Sequence, residues 1–334
     1  MFQHFDEVQH YLKEHVFQAV DLKFCDLWGR WHHLTLPAKQ FTPAIMEAGI
    51  GFDGSSVGLK TVKSGDMVMT PDLGTAFEDP FWEEKTLSFI CTTLDAETNE
   101  IFVNDPRNLA RQSEAYLRST GIATESRWGP EFEFYIFEEA AYENEINSAG
   151  YRLNSAEAEW NSMESAQGSY IPLHGGYHAS PPKDRYYNLR ATIAQQMDAS
   201  GIAVKYHHHE VGSPGQQEIE IPMMGLVKAA DAVMLAKYIT KMVAFQDDKV
   251  ATFMPKPLHG EAGNGMHVHQ HLFEGDTNLF YDPNGYGYLS DTARYYLGGL
   301  LYHGAAVLAL TNPSTNSYRR LVPGYEAPVN AFYS

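Results

Sequence analysis

Apolar residues recur at helical spacing over residues 2–17, and the pattern then changes to apolar-rich runs at 19–27 and 31–36 on either side of Gly29. This predicts a short helix followed by a hairpin. A Pro-led helix is expected over 43–48, then the Gly-rich stretch GFDGSSVG at 51–58, and strands near 67–70 and 86–93. A turn signal at 104–106 precedes a helical pattern over 108–120, which places a domain boundary near residue 105: a small, strand-rich domain at 1–105 and a second domain at 106–334. The second region opens with a strand at 131–137 and a polar, Ser- and Asn-rich surface excursion at 143–168. Helices over 185–199, 224–245 and 290–310 and a strand over 265–273 complete it. Interleaved helices and strands point to α/β or α+β.

Composition narrows the class. Hydrophobic residues make up 44% and charged residues 20% of 334 positions, values of an ordinary globular chain rather than a disordered or collagenous one. A formal charge of −18 repels nucleic-acid phosphates and anionic membranes, so neither is expected as a partner. The surplus acids serve either solubility or cation binding. Cys25 and Cys91 stand far apart and in no CxxC arrangement, which argues against a disulfide framework or a thiolate zinc site and fits a reducing cytoplasm. The amphipathic amino terminus is unlike a signal peptide, and the longest apolar run, at 305–310, is too short to span a bilayer. A soluble, cytoplasmic protein is expected.

Chemistry concentrates in three predicted strands. In GPEFEFYIF, alternation puts Glu131 and Glu133 on one face, although an ExE pair is equally the pattern of a strand with one wet face. In YHHHEVGSPGQQEIE, the turn around Gly212, Pro214 and Gly215 brings Glu210 and Glu218 onto neighbouring strands, with Glu220 on the same face as Glu218. The three histidines there alternate faces, so at most two look into one site, and a structural role is expected for some of them. In GNGMHVHQHLF, His267, His269 and His271 share one face, and imidazoles in a row are costly to bury without hydrogen bonds, metals or an anionic ligand. Gly263 and Gly265 just before them would let backbone amides approach a substrate. Together Glu131, Glu133, Glu210, Glu218 and His267 offer hard oxygen donors and one imidazole, a set that favours Mg²⁺ or Mn²⁺ over structural zinc. Carboxylates around divalent ions suit chemistry on a polyphosphate. The chain has no GxxxxGK[ST] loop, GxGxxG fingerprint or HExxH helix.

Five segments, FDGSSVG at 52–58, PEFEFYIF at 130–137, HHHEVGSPGQQEIE at 207–220, FMPKPLHGEAGNGMHVHQHLF at 253–273 and NPSTNSYRRLVPGYEAPVN at 312–330, resemble in wording and order the signature segments of type I glutamine synthetases. The resemblance implies an α+β fold: a β-grasp-like first domain, then a catalytic domain with a curved antiparallel sheet and flanking helices. It implies that Glu133, Glu210 and Glu218 bind one divalent ion and Glu131 and His267 a second, that His269 contacts ATP, and that Gly263 lies in the loop meeting glutamate. Arg320 is similar to the arginine that pairs with the substrate carboxylate, Asp53 to an acid reaching a neighbouring subunit's site to bind and deprotonate ammonium, and Glu326 to a flap carboxylate closing over the intermediate.

The implied reaction joins ammonia to glutamate: the γ-carboxylate attacks the γ-phosphoryl of ATP to give γ-glutamyl phosphate, and ammonia displaces phosphate. Glutamate, ammonium and ATP are the expected small-molecule partners, in a homo-oligomer of two stacked six-membered rings. Family members continue past the point where this chain stops, at Ser334, and the segments beyond carry a phosphate-binding Arg-rich stretch and a further metal-ligating Glu. The expectation is therefore an amino-terminal and central portion, of doubtful activity alone. Alternatives are a γ-glutamyl ligase using an amine or polyamine, a non-catalytic subunit binding metal or nucleotide, and a zinc hydrolase built on the His-rich strands.

Overall fold

The structure, a computed structural model, describes residues 2–165, 168–325 and 327. The chain folds into two compact units, the first comprising everything up to Thr120 together with Leu226–Met234, the second Gly121–Gly225 with the chain from Leu235 on.

The first unit begins with helix α1 (Phe5–Glu14), whose Val8 and Leu12, four apart on one face, enter the core. Glu7 closes the helix start by accepting the His4 N–H at 3.1 Å. Strands β1 (Ala19–Cys25) and β2 (Trp31–Pro37) form the predicted hairpin, followed by α2 (Pro43–Ala48), β3 (Ile50–Asp53), β4 (Asp66–Pro71), β5 (Phe77–Asp79), β6 (Thr86–Asp95) and α3 (Pro106–Thr120). The sheet order is β2-β1-β6-β4-β3, with β5 also on β6. The central β1–β6 pair is parallel and the rest antiparallel, a β-grasp-like arrangement. Most of β1 and β6 is buried on both faces, so Val20, Leu22, Phe24, Leu87 and Phe89 pack in the core and the polar residues between them are buried as well. Each such apolar side chain contributes about 1.5–3 kcal/mol by leaving water.

In the second unit one long strand, β7 (Glu125–Phe137), organises the rest. The exposed hairpin β8 (Glu139–Asn144) and β9 (Ala149–Asn154) follows, then α4 (Ser162–Ser165), α5 (Tyr187–Ala199), β10 (Tyr206–His209), β11 (Gln216–Glu220), β12 (Met224–Gly225) and α6 (Leu226–Gln246). Next come β13 (Val250–Thr252), β14 (Val268–Glu274), β15 (Thr277–Asn278), α7 (Asp291–Tyr302), α8 (Gly304–Thr311) and α9 (Thr315–Arg320). The sheet runs β10-β11-β7-β14-β15, antiparallel throughout, with β12 and β13 also paired to β7.

Two elements differ from the pattern-based expectation. β7 starts six residues before 131, at Glu125, because Arg127, Gly129 and Pro130 mask a strand that pairs with β14. The helix expected over 290–310 is divided at His303, in a stretch where Gly298, Gly299 and Gly304 lower helix propensity. Among the described residues no helix is long and apolar enough to cross a membrane.

Candidate active site

The second unit's sheet register gathers acids that the sequence could place only on faces. Glu133 of β7 pairs with Glu218 of β11, and Glu131 pairs with Glu220 two residues along. On the far side of β11, His208 of β10 pairs with Glu218. Glu210 follows β10 directly and is anchored by its own backbone, its N–H donating to the Gln216 carbonyl at 2.9 Å across the predicted turn. One ligand atom each from His208, Glu210 and Glu218 lie within 4.8 Å of one another, and the same holds for Glu131, Glu220 and His269. The two groups share neighbouring rows of one sheet.

All three acids of the inner group of carboxylates are buried: Glu133, Glu210 and Glu218 are 7–8% exposed. Burial, then the Glu210 carboxylate, then the charges of Glu133 and Glu131 push Glu218 up to about 9. Burial likewise raises Glu133, opposed by a hydrogen bond from the Gly265 N–H (2.9 Å) and by the charges of His267 and Arg320. These are carboxylates held against their own repulsion with too few local cations. A divalent ion is the group whose charge and preference for oxygen ligands match such a set.

The imidazoles divide by role. His267 Nδ1 lies 3.2 Å and His269 Nε2 2.7 Å from the two oxygens of Glu131, so both reach the acid row. His271 instead accepts a hydrogen bond from Asn278 at 3.2 Å and packs beside Phe280. Of the consecutive histidines, only His208 faces the carboxylates, at 3.7 Å from Glu218 and 3.8 Å from Glu210. His209 is fully buried against Glu157 (2.9 Å), and its other ring nitrogen meets the Glu210 carbonyl at 2.6 Å. His207 accepts from the Arg190 guanidinium at 3.0 Å.

Beside the acids stands a compact loop. Gln216 Nε2 reaches Glu133, the Gly263 carbonyl and Asn264 at 3.1–3.2 Å, and the Tyr135 hydroxyl donates to the Ala262 carbonyl at 2.6 Å. A Cβ at Gly265 would lie 2.4 Å from Arg320 Nη2 and 3.0 Å from Glu133 Oε1, while one at Gly263 would lie 2.3 Å from the Pro255 carbonyl. Only glycine allows this approach. Arg320 closes α9, whose start is capped by Ser314 accepting the Ser317 N–H at 3.2 Å. Its Nε is buried with no hydrogen-bond partner among the described residues, and burial lowers its pKa while Glu133 raises it. A guanidinium donor without a partner next to a carboxylate basin is equipped to take a substrate anion.

The structure thus brings Glu131, Glu133, Glu210, Glu218, His267, His269, Gly263 and Arg320 into one region of the second unit. Asp53 belongs to the first unit, exposed at the end of β3, where it accepts hydrogen bonds from the Ser55 N–H (2.9 Å), the Ser55 hydroxyl (2.7 Å) and the Ser56 hydroxyl (2.5 Å). Led by the Ser56 hydroxyl, those bonds lower its pKa and keep it anionic. Glu326 lies outside the described residues. His208 is not among the residues that sequence alone singles out, and Glu220 enters there only as sharing a face with Glu218. Register supplies both, and register cannot be read from alternation.

Fold and site define the class: a β-grasp-like unit and an antiparallel sheet lined with carboxylates suited to divalent cations. Residues 16–96 match the family model described as the beta-Grasp domain of glutamine synthetase, and residues 103–334 match that of the glutamine synthetase catalytic domain. The chain is 47% identical to a glutamine synthetase of Streptomyces filamentosus over all of its length and 71% of that protein's, and 47% identical to one of Frankia alni, covering 72%. Its fold is similar to that of the Plasmodium falciparum glutamine synthetase solved by cryo-EM, with a TM-score of 0.89 and 26% identity over 97% of this chain and 64% of that one. The chain belongs to the glutamine synthetase family, the glutamate–ammonia ligases, and spans about two thirds to seven tenths of these relatives' lengths.

Proposed function

We propose that this basin binds two divalent cations, Mg²⁺ or Mn²⁺, and with them serves the ligation of ammonia to the γ-carboxylate of glutamate, ATP being converted to ADP and phosphate by way of γ-glutamyl phosphate. One cation is assigned to Glu133, Glu210 and Glu218, the other to Glu131 and His267. The observation that carries the reading is the pairing of Glu218 with Glu133 beside Glu210, where burial first and then the neighbouring carboxylates lift Glu218 to about 9. Bound there, the cations would offset the negative charge of the triphosphate and of the carboxylate that attacks it.

The remaining roles belong to the protein's own groups. The Arg320 guanidinium orients the glutamate carboxylate through paired N–H donors. Gly263 and its neighbours present backbone close to that substrate, and His269 contacts ATP. Asp53, kept anionic by its serines, attracts NH₄⁺ and takes its proton, serving the site of a neighbouring copy in a ring-shaped homo-oligomer of twelve. Glu326 shields the acyl phosphate from water. A cytoplasmic location, with ATP and glutamate at hand, fits this assignment.

ADP release measured with glutamate, ATP and Mg²⁺, on the chain extended by the carboxy-terminal segments found in its relatives, tests the reading. It is expected to depend on NH₄⁺, and release that ignores ammonium but responds to a polyamine would reject the ammonia assignment.

A further inference from the structure

The row next to Glu133 and Glu218 carries an acid that the assignment above leaves idle. Glu220 ends β11 opposite Glu131 on one side and Tyr206 on the other. It is 4% exposed. One carboxylate oxygen, Oε1, receives the Lys205 ammonium, whose side chain is half exposed, while Oε2 is buried without a hydrogen-bond partner among the described residues. Its carboxylate lies within 4.8 Å of ligand atoms of Glu131 and His269.

The charge count does not close. Like charges directly opposite on antiparallel strands destabilise the pair, and Glu131 and Glu220 carry two negative charges against the single positive charge of Lys205. His267 and His269 bond Glu131, and neither bonds the buried Oε2 of Glu220. A buried carboxylate oxygen that the described residues leave unsatisfied calls for a further partner. Two carboxylates and an imidazole match Mn²⁺ or Mg²⁺ and are too rich in oxygen for structural zinc.

We propose that Glu220 is a further ligand of the cation assigned above to Glu131 and His267, its carboxylate lying within 4.8 Å of ligand atoms of Glu131 and His269, with Lys205 as the internal cation that occupies Glu220 until the metal arrives. The inference rests on the two-cation reading of the basin and extends it, since it assigns to the outer ion a ligand from β11 that the family resemblance does not supply. Lys205 thereby becomes a competitor whose removal strengthens binding.

Titration of the chain with Mn²⁺, followed by electron paramagnetic resonance without nucleotide, separates these claims. Glu220→Gln is expected to weaken one class of Mn²⁺ sites about tenfold or more and to spare the class abolished by Glu218→Gln. Lys205→Gln, which leaves every proposed ligand in place, is expected to tighten the Glu220-dependent class several-fold, with folding of each variant checked by circular dichroism. If Glu220→Gln and Lys205→Gln both leave Mn²⁺ binding unchanged while Glu218→Gln still removes a site, Glu220 is only the ion-pair partner of Lys205 and the inference falls, the two-cation reading surviving. If the wild-type chain binds no Mn²⁺ at all, both fall together.

Discussion

Each unit buries acids in its sheet, and the two treat them in opposite ways. In the first, Asp21 is 1% exposed on β1, yet it meets Lys23 and Thr35 and lies 2.8 Å from His33, and Lys23 also reaches Asp79 at 3.4 Å. Arg107 similarly joins Asp72 (2.8 Å), whose pKa is lowered, and Asp231 (2.9 Å), which burial raises despite that partner. Burial alone would raise Asp21, but His33, Lys23 and Thr35 outweigh it and bring the carboxyl below its ordinary value. In the second unit Glu133, Glu210 and Glu218 are similarly buried, and Glu218 rises to about 9. A buried charge whose partner is built into the chain is structure, and one that lacks such a partner among the described residues is a candidate binding site.

The largest effect that could break this contrast is on activity. Glu218→Gln is expected to lower the ammonium-dependent rate of ADP release by about 10²-fold or more, the scale on which loss of a preorganised charged group acts, while the metal-free chain keeps or gains stability in urea denaturation. Equal losses of activity and stability would mean that Glu218 is a core acid like Asp21. Lys23→Met, in the first unit, should do the reverse: removal of one partner of a buried pair costs about 3–5 kcal/mol, read from the urea midpoint, because Asp21 and Asp79 lose their cation.

Next in size is stabilisation by the cation itself. Mn²⁺ at a hundred times its Kd should stabilise the chain by about 2.7 kcal/mol, an increment that thermal denaturation detects and that excess chelator reverses. Glu218→Gln should lose most of it, and Lys23→Met should keep it, if the two clusters differ as described.

The subtlest test is the sign of the pH dependence. Glu218 has a folded pKa near 9 against an ordinary 4.5, so the folded state holds a proton that the unfolded state has released, and this group's contribution to the stability of the metal-free chain falls as pH rises from about 4.5 to about 9. Asp21 is lowered from 3.8, so its contribution is present above that value and lost as pH falls through the lower folded value. Urea melts of Glu218→Gln and Asp21→Asn across pH should remove the falling slope and the acid-side loss respectively. Mn²⁺ affinity should increase over the window in which Glu218 loses its proton, because the metal competes with that proton.

Much of the architecture was legible in local pattern. The hairpin around Gly29, α1 and α3 follow from periodicity, since an amphipathic helix or a two-sided strand declares its own spacing, while α5 and α6 are weakly amphipathic and follow from length and helix-favouring composition. The amino-terminal half of β7 did not declare itself, because Gly129 and Pro130 break the strand pattern and pairing with β14 overrides them. Arg320 as a buried donor and the fates of His207, His208 and His209 were equally out of reach, since neighbours distant in sequence decide them.

By itself the sequence determined the residue types available for chemistry and the faces they share within a strand: Glu131 with Glu133, Glu218 with Glu220, His267 with His269. The tertiary structure alone decided which of those faces meet. A slip of one residue between β7 and β11 would send every carboxylate of one strand to the opposite side of the sheet, and the pairing of Glu133 with Glu218 and Glu131 with Glu220 is set by turns, partners and core packing spread over the whole unit. Charge repulsion between acids depends on distance and burial, which no linear pattern contains.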